Sequence, residues 1–208
     1  MTPRNAEGLI IAGPAGDVEV VIDAPSASPR GVALVCHPHP LQGGTLDNKV
    51  AHTLAKTFHA MGYVATRFNF RGVGRSAGVF DEGIGETDDA LAVLRHVQSR
   101  FGEALPVALA GFSFGSFVQT RVAAQVTPEG LVLVGPAVNR FPLQRVPAET
   151  IVVHGEEDDV VPLADVFAWA RPQELPVVVF PGCGHFFHGR LLQLARVVTA
   201  LWPRAKAA

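Results

Sequence analysis

Ser113 stands between two glycines in the run Gly111-Phe112-Ser113-Phe114-Gly115, a spacing that suits a serine nucleophile. A serine hydroxyl attacks a carbonyl carbon poorly unless a tight turn holds it exposed beside a general base and beside donors for the developing oxyanion. Glycines two positions to either side let a strand and a helix pack closely at such a turn. A base and an acid that could complete this chemistry follow later in the chain. Asp158 lies in His154-Gly155-Glu156-Glu157-Asp158-Asp159-Val160-Val161-Pro162, and His185 closes Gly182-Cys183-Gly184-His185. A histidine can take the serine proton, while a carboxylate fixes its tautomer and stabilises the imidazolium. Asp159 is the rival to Asp158 as that acid. It also suits the positive end of a helix opening at Pro162, and Glu156 and Glu157 read as solvated surface charge.

Two other chemistries compete for these residues. Cys183 precedes His185 by two positions, but no glycine-flanked turn presents it as a nucleophile. His185 with His188, and His37 with His39, have spacings that could ligate a metal, yet His37-Pro38-His39-Pro40 lacks any following aspartate-histidine pair. No metal and no cofactor are expected. His52, His59 and His96 fall on expected helices and read as structural or exposed.

A strand and a helix must frame Ser113, and the sequence supplies both. Residues 105–110 form an apolar run entering the turn, and residues 116–125 read as the helix leaving it. Further strands are expected over 18–22, 32–36, 63–68, 131–134, 151–154 and 177–180. The expected helices span 46–61, 87–100, 162–170 and 191–202. Residues 13–17, Gly-Pro-Ala-Gly-Asp, read as a turn before the first strand. Strands alternating with helices predict an α/β fold whose sheet is mostly parallel and covered on both faces. Functional groups then gather at the carboxyl ends of strands, where His37, His39, Ser113, Asp158 and His185 all fall.

Composition bounds the remainder. The chain has 208 residues, 48% of them hydrophobic, with 21 glycines and 16 prolines. One domain over 1–208 with many short loops is the expectation. A formal net charge of −2 gives no electrostatic reason for nucleic acid or an anionic membrane as partner. Residues 1–8 lack an export signal, and no apolar stretch approaches a membrane span. The two cysteines, Cys36 and Cys183, suit a reducing compartment, so a cytoplasmic location is expected. The connection 135–150 is too short for a cap domain.

The order Ser113, Asp158, His185 and the motifs around them resemble the α/β-hydrolase superfamily along nearly the whole chain. The likeness is greatest to its small, lidless serine hydrolases, with dienelactone-hydrolase-like proteins as cousins. The family's H-G-x-x-D-x-x-x-P turn falls on His154, Gly155, Asp158 and Pro162, and its G-x-x-H on Gly182 and His185. Residues 69–76 resemble its D-x-R-G-x-G-x-S loop, with Asn69 in place of aspartate, and read as architectural. The resemblance implies a Ser113-His185-Asp158 triad in a carboxylesterase-like enzyme acting on small esters or thioesters. It also implies an oxyanion hole made by the backbone N–H groups of His39 and Phe114, since the prolines flanking His39 have none. A rigid loop without that role is the alternative for residues 37–40. A silent hydrolase-like binding protein, or a hydrolase of peptide, C–C or lactone bonds, is the alternative. Phe70, Phe80, Phe112, Phe114, Phe141, Phe186 and Phe187 could form an apolar acyl pocket or ordinary core.

Overall fold

The computed structural model describes residues 6–202. Residues 1–5, part of the segment read for an export signal, lie outside that range. An eight-stranded sheet runs in the order β1-β2-β4-β3-β5-β6-β7-β8. The strands are β1 (Ala6–Gly13), β2 (Gly16–Asp23), β3 (Gly31–Cys36), β4 (Tyr63–Phe68), β5 (Val107–Phe112), β6 (Gly130–Val134), β7 (Ile151–Gly155) and β8 (Val177–Phe180). β1, β2 and β4 pair antiparallel, and every pairing from β4 through β3 to β8 is parallel.

β3, β4 and β5 are buried along their whole length; β3 and β5 are accordingly apolar throughout, while β4 also buries Thr66 and Arg67, whose guanidinium donates to the Leu46 carbonyl. Their residues still alternate between the two faces. Val32, Leu34 and Cys36 enter one core, and Ala33 and Val35 enter the other. Helices α2 (Ile84–Phe101) and α3 (Phe114–Ala123) cover the first core; α1 (Lys49–Ala60) and α5 (Leu191–Leu201) cover the second. The short α4 (Leu163–Ala170) packs Val166 against Val152 and Val161 near the far edge.

The expected elements all form, several with shifted ends and with one strand added. β1 is additional, pairing with β2 across the Pro14-Ala15 turn, so residues 13–17 join two strands. α1 begins at Lys49 because the Asn48 side chain accepts the N–H groups of Val50 and Ala51, capping the helix there. α2 begins at Ile84, where the Glu86 carboxylate accepts the Gly83 N–H at 2.8 Å.

Strand order reverses around β3, whose neighbours are β4 and β5. The loops leaving β3 and β5 therefore border a crevice at the carboxyl end of the sheet, where α/β folds bind ligands.

Candidate active site

β5 delivers the chain to Ser113, and α3 starts on the next residue. Ser113 has φ 55° and ψ −117°, a left-handed conformation costing about 1–3 kcal/mol that the surroundings must hold in place. Three features hold it. The Ser113 N–H donates to the Val134 carbonyl at 2.9 Å. The Ser116 hydroxyl donates to the Gly111 carbonyl at 2.8 Å, and the Gln119 amide reaches the carbonyls of Leu34 and Ala110 at 2.8 and 3.0 Å. The flanking glycines leave no room for side chains: a Cβ on Gly111 would strike the Gly115 carbonyl, and one on Gly115 would strike the carbonyl of Cys36.

Ser113, His185 and Asp158 form a continuous chain. His185 Nε2 lies 3.1 Å from Ser113 Oγ, and His185 Nδ1 lies 2.7 Å from Asp158 Oδ2. Ser113 is 8% exposed and His185 3%, so the site is dry enough to strengthen its electrostatics. Phe112 packs on the His185 ring, with centroids 4.9 Å apart. Gly135 lies beneath that ring, since a Cβ there would come within 3.2 Å of His185 Cε1. Sequence reasoning did not single out Gly135, although a Gly-Pro pair directly after a strand signals a turn.

Asp158 Oδ1 accepts the N–H groups of Val160 and Val161 at 3.0 and 2.8 Å. Burial raises the Asp158 pKa, but the His185 hydrogen bond, the Val161 N–H and the nearby imidazoles outweigh it, and the net shift is downward. The carboxylate is therefore ionised wherever a histidine base could work. Asp159, Glu156 and Glu157 are exposed. His154 is wholly buried, and its Nε2 reaches the Val161 carbonyl at 2.8 Å, closing the loop that carries Asp158. Burial lowers the His154 pKa, so that ring is neutral.

The loop after β3 separates its two histidines into different environments. His37 is fully buried, with Nδ1 2.7 Å from the Pro38 carbonyl and Nε2 accepting the Phe70 N–H at 3.0 Å. Those partners fix the Nδ1–H tautomer. Burial pushes its pKa down to about 4. His39 Nδ1 accepts the Leu41 N–H at 3.2 Å, and its carbonyl accepts from Gln42 and Gly44. Among the described residues, the His39 and Phe114 N–H groups donate to no backbone carbonyl. Phe114 opens α3, where N–H groups have no intrahelical acceptor and the dipole favours negative charge.

The structure does not bring together the alternative centres. His188 is exposed and stacks on Phe186, and no group of three or more His, Cys, Asp or Glu residues suited to a metal occurs among the described residues. Cys36 and Cys183 are free and buried, and burial raises both thiol pKa values. No helix among the described residues is long and apolar enough to cross a membrane.

The architectural reading of residues 69–76 has a geometric basis. Arg71 makes a bidentate pair with the buried Asp89 at 2.8 and 2.9 Å, and the Ser76 hydroxyl donates to the Asn69 carbonyl at 2.7 Å. Asn69 replaces aspartate where its amide must donate to Glu19 Oε2 at 2.7 Å, while its Oδ1 accepts the Leu46 N–H.

Of the seven phenylalanines expected near the site, Phe70, Phe112, Phe114 and Phe187 are buried core. Phe80 and Phe141 line a cleft of about 440 Å³ beside His39, and Phe186 lines a smaller one of about 270 Å³ with Asn48, Lys49 and His188.

Residues 27–144 match the family described as Hydrolase_4, serine aminopeptidase S33. The chain belongs to this family of α/β-hydrolases. This hydrolase is 35% identical over 162 residues to protein RP471 of Rickettsia prowazekii (strain Madrid E), covering 74% of its own length and 68% of that protein. It superimposes on an α/β serine hydrolase homologue from Coxiella burnetii with a TM-score of 0.87 at 40% identity, over 96% of this chain and 98% of that one. Against XC6422 from Xanthomonas campestris, an α/β serine hydrolase without a lid, the TM-score is 0.90 at 34% identity over 99% of both chains. The hydrolase shares that lidless architecture: its β6–β7 connection contains neither helix nor strand.

Proposed function

We propose that this hydrolase cleaves small carboxylic esters or thioesters through an acyl-enzyme on Ser113. The observation that carries the reading is the unbroken hydrogen-bonded chain from Ser113 Oγ through His185 to Asp158. As Ser113 Oγ bonds to the carbonyl carbon, its proton passes to His185 Nε2. The carbonyl oxygen becomes an oxyanion facing the N–H groups of His39 and Phe114. The C–O or C–S bond then breaks, and the leaving group takes the proton from His185. Water repeats the sequence, giving its proton to His185 and releasing the acid and free Ser113. Asp158 holds the imidazole through Nδ1–H and offsets its positive charge. The two free thiols support a cytoplasmic setting.

A fluorophosphonate probe with 4-nitrophenyl butyrate tests the reading. Stoichiometric labelling at Ser113 is expected, together with a fall in turnover of at least about 10³-fold in Ser113→Ala. A folded wild-type protein that neither labels nor turns over any ester is a binding protein instead. The family's description favours one second reading, amide cleavage of peptides. Release of 4-nitroaniline from aminoacyl substrates faster than 4-nitrophenol from esters would replace the ester reading with that one.

A further inference from the structure

Two clefts open beside loops that border the triad, one lined by His39 and the other by Phe186 and His188, and chemistry distinguishes them. The leaving-group atom must take its proton from His185 Nε2, so the leaving half of a substrate lies on the His185 side, towards Phe186 and His188. The cleft of about 440 Å³ beside His39 lies on the opposite side, that of the oxyanion donors, and is open to the acyl half. That volume lies in the range of about 300–1,000 Å³ in which proteins hold small molecules.

The walls of this cleft combine aromatic rings with two arginines and one glutamate. His39 lines the cleft, and the His39 and Phe141 rings each pack 5.1 Å from Phe114, the buried residue following Ser113, which ties the cleft wall to the turn that carries the serine. Phe117 stacks on Phe141 at 4.9 Å and Phe80 closes on His39 at 4.9 Å. Arg121 projects over the Phe117 ring, 5.8 Å from its centroid, and its Nε–H donates to Thr87 Oγ1 at 3.2 Å. Thr87 in turn donates to the Gly83 carbonyl at 2.5 Å. The half-buried guanidinium is thereby fixed in direction, and among the described residues its Nη groups make no hydrogen bond. Arg140 stands on the same cleft, near enough that its charge adds to burial in lowering the His39 pKa. Among the described residues neither arginine forms an ion pair, although Glu82 also lines the cleft.

We infer that the preferred substrates are esters or thioesters whose acyl chain ends in a carboxylate, with Arg121 and Arg140 binding that carboxylate while the chain lies against the rings. A guanidinium suits this task because it remains charged and presents a planar fork of donors to a carboxylate. The inference rests on the hydrolase reading of Ser113 and adds the identity of the acyl group to it. The product released on deacylation is a dicarboxylate.

The test compares two 4-nitrophenyl esters of equal chain length, the hexanoate and the monoadipate. The kcat/KM ratio of monoadipate to hexanoate is expected to be about tenfold in wild type, the scale of one charge-assisted hydrogen bond in a partly wet site. It should shrink with added salt. Arg121→Gln and Arg140→Gln should each cut the ratio several-fold, and the double variant should bring it close to one, at melting temperatures matching wild type. A wild-type ratio at or below one, or a ratio unmoved in the double variant, overturns the acyl assignment while leaving the hydrolase intact. Failure of the hydrolase reading looks different, because then neither ester turns over. In that event calorimetric binding of the two esters to Ser113→Ala decides the cleft: tighter binding of the monoadipate, lost on adding Arg121→Gln, supports the inference, and equal binding overturns it.

Discussion

His185 Nδ1 stands 2.7 Å from Asp158 Oδ2, while the next residue, Asp159, is exposed. Adjacent carboxylates in one loop are thus separated into an imidazole partner and a surface charge. Asp158→Asn should lower ester kcat by about 10⁴-fold, because the amide favours the wrong histidine tautomer. Asp159→Asn should leave kcat within about twofold, as surface substitutions do. Steady-state kinetics on both variants checks this, and a larger loss for Asp159→Asn would move the triad acid by one residue.

The oxyanion assignment separates the backbone of His39 from its imidazole. His39→Ala keeps the N–H and loses the ring's acceptor for Leu41 N–H, a cap worth about 1 kcal/mol. It should therefore retain most turnover of a short ester while melting slightly earlier. His39→Pro removes the donor and should lose about 10²–10³ in kcat. A well-folded His39→Ala as inactive as a triad variant means that the imidazole itself participates.

The juxtaposition of Ser113, His185 and Asp158 was legible because each sits in a short motif with a defined place in the fold. The parallel sheet was legible because β3 and β5 are buried on both faces and carry apolar runs to match. β1 was not legible. Only Ile11 of its eight residues is fully buried, so it has no clear alternation, and pairing with β2 decides its conformation. The helix after Ser113 was expected at 116 but begins at Phe114, because apolar periodicity cannot register the reversal at φ 55°. The Arg121–Thr87 contact joins residues on α2 and α3; only the packing of one helix on the other brings them together.

Asn69 and Glu19 offer a stability test of the loop after β4. Asn69→Asp would set a second carboxylate beside Glu19 Oε2, replacing a donor at 2.7 Å with repulsion. A loss of about 1–3 kcal/mol is expected from urea unfolding at pH 7. Adding Glu19→Gln should recover part of it by restoring a donor to the pair. Asn69→Asp at wild-type stability would mean that water or loop movement relieves the contact.

The absence of helix or strand between β6 and β7 predicts an open approach to Ser113. Turnover of 4-nitrophenyl esters should follow a smooth saturation curve through the critical micelle concentration of long-chain substrates. A rate jump there, with the longest chains preferred, would require a moving cover that this short connection does not supply.

His37 predicts how stability depends on pH. Its pKa is pushed from 6.5 down to about 4 by burial, and its Nε2 must remain unprotonated to accept the Phe70 N–H. Between those values the unfolded chain binds a proton that the native state excludes, so stability falls as pH falls, by about 3 kcal/mol across the window. His154 and His39, whose pKa values are also lowered by burial, act in the same direction. Asp158 also loses stability on acidification, but below its ordinary value of 3.8, outside the window. His37→Gln offers the same N–H an amide oxygen that does not titrate. Urea unfolding at several pH values between 7 and 4.5 should give a shallower slope for His37→Gln than for wild type, with the two closer in stability at the acid end. Parallel slopes would mean that native His37 binds its proton as readily as the unfolded chain does, and the burial argument for its neutral tautomer would be wrong.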